Sequence, residues 1–144
     1  MKMIVLCGKP GSGKSTFSKE KFPEYVRINQ DELGNRDACL KLCNESLAAG
    51  KDVIIDRVNH TPKQRSMWVQ IGRMYGATIQ AIYLDADSDF CLKRISARKD
   101  HPTINPEKMS VDKMRSIIRG FANEFVVPEL SEGFDSILFI RVKC

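Results

Sequence analysis

The sequence has few of the features that mark membrane, secreted or repetitive proteins. No apolar run approaches the roughly 18 residues that a membrane-spanning helix requires, and the chain contains no internal repeat or low-complexity stretch. The segment that precedes the first glycine, residues 1–7, is too short for a signal peptide. We therefore expect an intracellular protein, cytoplasmic or nuclear, that is neither secreted nor associated with a membrane.

Metal-site and disulfide patterns are also missing. The five cysteines are scattered, odd in number and without a CxxC spacing. Cys39 and Cys43 lie four residues apart, but no pair of histidines accompanies them to complete a zinc site. We expect reduced thiols that act mostly as packing groups. The two histidines, His60 and His101, lack metal-ligand spacing, and the sequence assigns neither a role.

What is present is the composition of an ordinary globular domain. The chain has 144 residues, of which 42% are apolar and 28% charged, and residues 1–144 fit a single domain. Short, continuous apolar runs alternate with helical patterns, as expected for strands that are buried on both faces of a parallel sheet. The predicted strands are 3–7, 25–28, 53–56, 78–84 and 137–142. The predicted helices are 14–21, 36–49, 62–75, 88–98 and 111–125.

The alternation predicts an α/β fold with three layers, in which a parallel sheet of four to five strands carries helices on both faces. Thr61 and Pro62 combine an N-cap with a proline at the first helical position, and Gly50 and Gly76 lie where helices should end. Ser88 is placed to cap the helix that follows it. Ligands of such sheets bind beyond the carboxyl ends of the strands, so the residues after each strand are the candidates for function.

Residues 8–16 read GKPGSGKST and form the most informative motif in the chain. The motif satisfies GxxxxGK[ST] between a predicted strand and a predicted helix, which is the context of a phosphate-binding P-loop. Its glycines let backbone N–H groups surround phosphate oxygens, and the following helix presents the positive end of its dipole. A glycine-rich turn without a ligand and a degenerate, non-catalytic loop are the alternatives.

We predict that this loop binds ATP, or another nucleoside triphosphate, together with Mg²⁺. Lys14 is expected to reach the β- and γ-phosphates, and the hydroxyl of Ser15 is expected to coordinate Mg²⁺. The predicted nucleotide-binding residues are Gly11, Ser12, Gly13, Lys14, Ser15 and Thr16.

Asp31 lies just past the carboxyl end of the second predicted strand, at the same edge as the loop. A carboxylate at this place can accept the proton of an attacking hydroxyl and orient that hydroxyl toward the γ-phosphate. The spacing serves equally well for Asp31 as the cap of the following helix. Glu32 is the local competitor for the role of base.

The third predicted strand ends in Asp56, which is placed to hold a Mg²⁺-bound water or a group of the substrate. Arg57 and Asn59 follow it at the same edge. Arg65, in the next predicted helix, is placed to reach an acceptor phosphate, and a solvent-exposed arginine is the alternative for this residue. We assign these four residues, with Asp31, to the acceptor side of the site.

Arg94 and Arg98 are four residues apart and therefore share a helix face. Basic residues continue beyond them, which suggests a basic lid at about residues 94–105 that closes over the triphosphate. Such a lid would stabilise charge during transfer, as an arginine supplied in cis does. The alternative is an ordinary basic helix end stabilised by the helix dipole, and the pattern alone favours this alternative. The net charge of +5 suits a polyanionic partner, but it does not separate nucleic acid from ATP.

Longer segments carry a resemblance to a known family. They are GKPGSGKST at 8–16, YVRINQDELG at 25–34, LAAGKDVIID at 47–56, and the stretch 109–137, which contains PELSEGF. With these segments the chain resembles, over nearly its whole length, the kinase domain of polynucleotide 5′-hydroxyl kinases, particularly the kinase half of the animal polynucleotide kinase/phosphatases. The NQDELG and PELSEGF segments are far more specific than the P-loop, which many NTPases share.

The resemblance implies a kinase that transfers the γ-phosphate of ATP to a 5′-hydroxyl end of DNA or RNA, with Mg²⁺ as cofactor. Asp31 matches the aspartate that activates the 5′-hydroxyl. Arg94 or Arg98 matches the lid arginine that contacts the transferring phosphate, and Asp56 and Arg65 match positions around the acceptor pocket. The matched region corresponds to a kinase module without the phosphatase and fork-head-associated modules of the animal enzyme.

Two departures from the family pattern concern the acceptor. Relatives commonly carry arginine where this chain has Gln30, and they often have a hydroxyl residue where it has Val58. Arg57 can replace lost phosphate contacts from a neighbouring position. The departures leave open the choice between DNA and RNA. A P-loop kinase of a small-molecule hydroxyl (nucleoside, sugar or antibiotic) and a non-catalytic nucleotide-binding domain are the alternative functions, and the oligomeric state is open.

Overall fold

A computed structural model of the protein describes residues 1–97 and 111–142. Within this part of the chain, strands and helices alternate as the sequence predicts. The strands are β1 (Lys2–Cys7), β2 (Val26–Ile28), β3 (Val53–Asp56), β4 (Thr78–Asp85) and β5 (Ser136–Arg141). The helices are α1 (Lys14–Lys21), α2 (Gln30–Leu33), α3 (Arg36–Ala48), α4 (Pro62–Met74), α5 (Ser88–Ala97) and α6 (Val111–Glu124). A 3₁₀ turn at Leu130–Glu132 precedes β5.

The five strands form one parallel sheet in the order β2-β3-β1-β4-β5. Val5 of β1 is opposite Ile55 of β3 on one side and Ala81 of β4 on the other, so β1 lies at the centre. Because all strands run the same way, their carboxyl ends meet at one edge of the sheet. The chain leaves β1 toward β2 and β3 and later returns to β4 and β5, which makes the end of β1 the switch point where ligands of such sheets bind.

Helices cover both faces of the sheet, which confirms the predicted three-layer α/β fold. Val5 points to the face covered by α3 and α4 and packs in one cluster with Trp68 of α4. Leu6 and Ile82 point to the opposite face and pack with Phe17 of α1. Strand β1 is buried on both sides from its second residue onward, as its continuous apolar run predicts. No helix in residues 1–97 and 111–142 combines the length and apolar character that a bilayer crossing demands.

The predicted limits of the strands and helices differ from the observed ones by at most one residue within the described chain. Strand β5 lies at the edge of the sheet and leaves Leu138 and Phe139 exposed. The four-residue helix α2 was not predicted, because its sequence is too short to carry a helical period. The predicted lid at about residues 94–105 lies largely outside the described residues, and so does Arg98.

The cap predictions are partly confirmed. Thr61 accepts a hydrogen bond from the backbone N–H of Gln64, and Gly50 and Gly76 adopt positive φ just after helices α3 and α4. The prediction for Ser88 is wrong, because the Asp87 side chain, one residue earlier, accepts the hydrogen bond from the first turn of α5.

The capping interpretation of Asp31 is also wrong. Asp31 lies in the first turn of α2, whose cap is Asn29. The next helix, α3, is capped by Asn35, which accepts a hydrogen bond from the backbone N–H of Ala38 at 2.8 Å. Asp31 is therefore left exposed at the carboxyl edge of the sheet, without a role in holding either helix.

Four cysteines, Cys7, Cys39, Cys43 and Cys91, are free thiols in the interior. Burial raises the pKa of Cys7 and of Cys43 to about 12. Both thiols are therefore protonated at neutral pH and unreactive as nucleophiles. This agrees with the prediction that the cysteines serve as packing groups.

Arg65 and Glu132 join helix α4 to the 3₁₀ turn of the PELSEGF segment. The Arg65 side chain is completely buried; its Nε and Nη2 donate to the two carboxylate oxygens of Glu132 at 2.8 and 3.0 Å, and its Nη1 donates to the backbone oxygen of Asn59 at 2.8 Å. Glu132 also accepts from the backbone N–H of Glu129 at 2.8 Å. The interpretation of Arg65 as a solvent-exposed arginine is wrong, because the fold uses all three of its nitrogens internally.

We expect Glu132→Ala to destabilise the fold by about 3–5 kcal/mol, because the change leaves the Arg65 charge buried without its partner. Urea denaturation followed by circular dichroism measures this loss. The matched control is Arg141→Met, which removes an arginine whose partner Asp85 is also exposed. The control should keep the wild-type denaturation midpoint, and equal midpoints for both variants would contradict the prediction.

Candidate active site

The candidate site lies at the carboxyl edge of the sheet, where the segments that follow β1, β2 and β3 meet. The P-loop follows β1 and helix α2 follows β2. Asp56 closes β3, one position beyond the pairing of Ile55 with Val5. The parallel register therefore brings the loop, Asp31 and Asp56 to one edge, as the sequence predicts.

The phosphate loop has the geometry that anion binding requires. Gly13 is the N-cap of α1 with φ 96°, and no side chain caps this helix end, so its N–H groups are available to phosphate oxygens. Gly11 has φ 81°, and a methyl group built on it would lie 2.5 Å from the carbonyl oxygen of Cys91. Helix α5 thus packs against the loop so closely that only glycine fits at this position.

Lys14 lies against the loop that it is predicted to serve. Its Nζ donates a hydrogen bond to the backbone oxygen of Lys9 at 3.1 Å. Burial lowers the pKa of the Lys14 ammonium below its ordinary value, and the nearby charges of Asp56 and Asp31 oppose this effect. A polyanionic ligand at the loop would stabilise the charge of this ammonium.

Ser15, the predicted Mg²⁺ ligand, is hydrogen-bonded to Asp56, which is predicted to hold a Mg²⁺-bound water or a group of the substrate. We refer to these two residues as the metal-binding pair. The Ser15 hydroxyl donates to Oδ2 of Asp56 at 3.1 Å, and the Asn29 amide donates to the same oxygen at 3.2 Å. Oδ1 of Asp56 is buried and has no hydrogen-bond partner in the described part of the chain. Residues 1–97 and 111–142 contain no cluster of three or more His, Cys, Asp or Glu side chains that could hold a metal alone. A hydroxyl with one carboxylate fits Mg²⁺, which is usually bound by few protein groups together with substrate phosphates and waters.

Arg27, on β2, is a member of this cluster that sequence reasoning missed. Its Nε donates to Oδ2 of Asp56 at 2.8 Å, its Nη2 donates to the Ser15 hydroxyl at 3.0 Å, and its Nη1 donates to Glu32. Burial lowers the pKa of the Arg27 guanidinium, but its hydrogen bonds and charge interactions with Glu32 and Asp56 outweigh this and raise the pKa overall. Arg27 lies in the segment 25–34 that carries the family resemblance, but no spacing rule singles it out within that segment.

A cleft of about 330 Å³ opens beside the metal-binding pair. Six of the residues that line it are Asp31, Asp56, Arg57, Asn59, His60 and Phe121. The Asp31 carboxylate has no hydrogen bond or ion pair within the described residues, whereas Glu32 is paired with Arg27. Of the two candidate bases, Asp31 is therefore the carboxylate that lines the cleft and remains free to accept a proton.

Of the remaining predicted acceptor residues, Arg57 presents its side chain to the cleft, whereas Asn59 and Arg65 are engaged in structural contacts. Arg57 lines the cleft, where its Nη2 donates to Gln30 at 2.6 Å and its guanidinium lies 5.7 Å from the centre of the Trp68 ring. Asn59 is buried with φ 49°, and its amide donates to the backbone oxygen of Leu6 at 2.7 Å. Asn59 therefore ties β1 to the segment after β3, and its amide nitrogen is not available to a substrate. Arg65 does not line the cleft, because Glu132 and the backbone of Asn59 hold it in the interior.

His60 and Phe121 form a wall of the cleft that the sequence did not indicate. The two rings meet edge to face with centroids 5.1 Å apart, and Nε2 of His60 lies 3.1 Å from a carboxylate oxygen of Glu124. His60 follows β3 and Phe121 lies on α6, so only the tertiary structure brings them together. The helical pattern of α6 gave no reason to single out Phe121 from its other apolar residues.

Arg94 lies over the phosphate loop. A methyl group built on Gly13 would lie 3.6 Å from Cζ of Arg94, and the guanidinium also lies 5.8 Å from the centre of the Phe90 ring. The Nε of Arg94 is buried and has no hydrogen-bond partner among the described residues. Its contacts are those of an arginine directed at the loop rather than of an ordinary exposed helix end.

The strand–loop–helix geometry of residues 2–21, with the Ser15–Asp56 pair beside it, defines a P-loop nucleotide-binding domain. Residues 3–121 match the protein family described as AAA domain, and the chain belongs to this family.

The chain is similar to several known proteins in sequence or in structure. It is 31% identical to the bifunctional polynucleotide phosphatase/kinase of Schizosaccharomyces pombe, over 99% of this chain and 34% of that protein. It is 30% identical to transcription factor bHLH140 of Arabidopsis thaliana, over 95% of this chain and 16% of that protein. The chain thus spans about a third or less of the length of these relatives. Among solved structures, Kti12 of Chaetomium thermophilum in complex with ADP-AlF3 has a TM-score of 0.61 at 16% identity, over 96% of this chain and 88% of that chain.

We expect nucleotide affinity to fall as the pH rises through the lowered pKa of Lys14. Below that pKa the ammonium is charged and attracts the phosphates; above it the attraction is lost, and the loss begins at a lower pH than for an unperturbed lysine. Isothermal titration calorimetry with ADP, from neutral to alkaline pH, measures the effect. Lys14→Arg is the control, because arginine stays protonated throughout. The same alkaline loss in this variant would assign the titration to another group.

Proposed function

We propose that this protein is an ATP- and Mg²⁺-dependent polynucleotide 5′-hydroxyl kinase that transfers the γ-phosphate to the 5′-hydroxyl end of DNA or RNA. The observation that carries the proposal is the position of Asp31, a carboxylate that lines a cleft beside the phosphate loop and has no partner among residues 1–97 and 111–142. The name of the Schizosaccharomyces pombe relative, bifunctional polynucleotide phosphatase/kinase, supports the same acceptor class.

In the proposed reaction, Asp31 accepts the proton of the acceptor hydroxyl while the hydroxyl oxygen attacks the γ-phosphorus. The bond between the γ-phosphorus and the β–γ bridging oxygen breaks, and ADP leaves with the electron pair. Lys14 and the backbone N–H groups of the loop stabilise the charge on the phosphate oxygens. Ser15, with Asp56, would hold Mg²⁺, which would supply further positive charge to those oxygens. Arg94 is placed over the loop to stabilise the transferring group.

The acceptor end would occupy the cleft between Asp31 and the wall formed by His60 and Phe121. Arg57, held by Gln30 at the same cleft, supplies positive charge for a phosphate of the acceptor. A side chain with a delocalised cation and several donors suits phosphate oxygens. Because part of the affinity would come from phosphate neutralisation, binding of the oligonucleotide should weaken as the salt concentration rises.

We expect Asp31→Asn to reduce phosphate transfer by about 10²–10⁴-fold, because the amide cannot accept the proton, while nucleotide binding persists. The assay incubates the protein with γ-labelled ATP, Mg²⁺ and 5′-hydroxyl DNA and RNA oligonucleotides and measures label on each polymer. Glu32→Gln is the matched control, since Glu32 lies next in the same helix but is paired with Arg27. Transfer that survives in Asp31→Asn and is lost in Glu32→Gln would assign the role of base to Glu32 and not to Asp31.

The second candidate is a kinase of a small-molecule hydroxyl. The cleft of about 330 Å³ supports it, since this volume lies within the range of small-molecule sites. The same assay separates the candidates. Measurable nucleotide binding without label on either polymer, but with label on a nucleoside or sugar, would favour this second function. Nucleotide binding without label on any acceptor would indicate a non-catalytic domain.

A further inference from the structure

The most unusual feature of the site is a cation at the place where the metal is expected. The Arg27 guanidinium bridges both predicted metal-binding groups, with 2.8 Å to Oδ2 of Asp56 and 3.0 Å to the Ser15 hydroxyl. The Ser15 hydroxyl donates its own proton to Asp56 at 3.1 Å. Its hydrogen is therefore used by Asp56, and one of its two lone pairs is used by Arg27.

A metal ion at Ser15 would meet Arg27 directly. Mg²⁺ binds hydroxyl and carboxylate oxygens, and the Ser15 hydroxyl oxygen that it would use now accepts a hydrogen bond from the guanidinium. Two positive charges beside the same oxygen repel each other, and this repulsion is strongest where water is largely excluded, as it is around Asp56. The present contacts of Arg27 therefore oppose direct coordination of Mg²⁺ by Ser15.

Asp56 has a further hydrogen-bond partner besides Arg27 and Ser15. Asn29 holds Asp56 from another side, because its amide donates at 3.2 Å to both Oδ2 and the backbone oxygen of Asp56. Asn29 also caps helix α2. Arg65 differs from Arg27 in this respect, because its partners belong to the fold and its side chain is completely buried.

Glu32 offers the Arg27 guanidinium an alternative partner away from the metal-binding pair. The Nη1 of Arg27 donates to Glu32, whose side chain is 53% exposed. Glu32 lies at the surface, where Lys19 is 4.0 Å away. An exposed partner can follow a moving arginine at little cost, whereas Asp56 is buried and fixed.

We propose that Arg27 is the resident cation of the metal site: it neutralises Asp56 and positions Ser15 in the nucleotide-free protein, and it withdraws toward Glu32 when Mg²⁺ and nucleotide bind. Arg27 is thus a positioning residue that competes with the metal. The inference rests on the proposed Mg²⁺ dependence. It does not depend on which hydroxyl compound is the acceptor.

The test measures ADP binding by calorimetry over a series of Mg²⁺ concentrations, without any acceptor. Arg27→Met keeps an apolar stem but removes the charge, and we expect it to lower the half-saturating Mg²⁺ concentration roughly tenfold, the effect of losing a competing charged hydrogen bond. Arg27→Lys, which keeps the charge but not the fork of donors, should fall between Arg27→Met and wild type. Arg141→Met is the control and should match wild type.

A second measurement reports on the protein without nucleotide. In EDTA, Arg27→Met should have a lower thermal midpoint than wild type, because Asp56 loses its counter-charge. Added Mg²⁺ should raise the midpoint of Arg27→Met more than that of wild type. A midpoint in EDTA equal to that of wild type would overturn the proposal.

The outcomes of the binding series also separate this inference from the proposed function. An equal or higher Mg²⁺ requirement in Arg27→Met would overturn the competition and leave the kinase proposal standing. ADP binding by wild type that is independent of Mg²⁺ would overturn the inference alone, and a complete absence of nucleotide binding would overturn both.

Discussion

The candidate site depends on one buried negative charge. Asp56 ends the third strand almost completely shielded from solvent, and a carboxylate in such a place must be paired and hydrogen-bonded. Ser15, Arg27 and Asn29 meet this requirement from three different segments of the chain. The need to satisfy a single carboxylate therefore holds the phosphate loop, the second strand and helix α2 in one arrangement.

Helix α2 is short, but it decides which acidic side chain can take part in chemistry. Asn29 caps it while also bonding Asp56, so the start of the helix is fixed to the metal-binding pair. Glu32 then faces Arg27 and is occupied. Asp31, one residue earlier, points away from that pair and lines the cleft. Adjacent carboxylates thus acquire different environments because successive residues of a helix point in different directions.

Structural and functional arginines are distinguished here by what surrounds their guanidinium groups. Arg65 is satisfied by Glu132 and a backbone oxygen and serves the fold. Arg57 and Arg94 lie at the cleft and the loop, each with part of its guanidinium uncommitted within the described residues. Arg27 lies between these cases, since two of its three side-chain contacts are with Asp56 and Ser15 at the predicted metal site and the third is with the exposed Glu32.

The sequence by itself determined the α/β architecture, the limits of the strands and of every described helix except α2, and the phosphate loop with Lys14 and Ser15, because each depends on a local pattern of spacing or apolar periodicity. It also placed Asp31 and Asp56 at the active edge, since parallel strands end together. Only the tertiary structure decided the rest. The exclusion of Arg65 from the cleft, the bridging position of Arg27 and the meeting of distant segments at the cleft wall depend on contacts between elements far apart in the chain, and side-chain direction at such contacts leaves no trace in residue spacing.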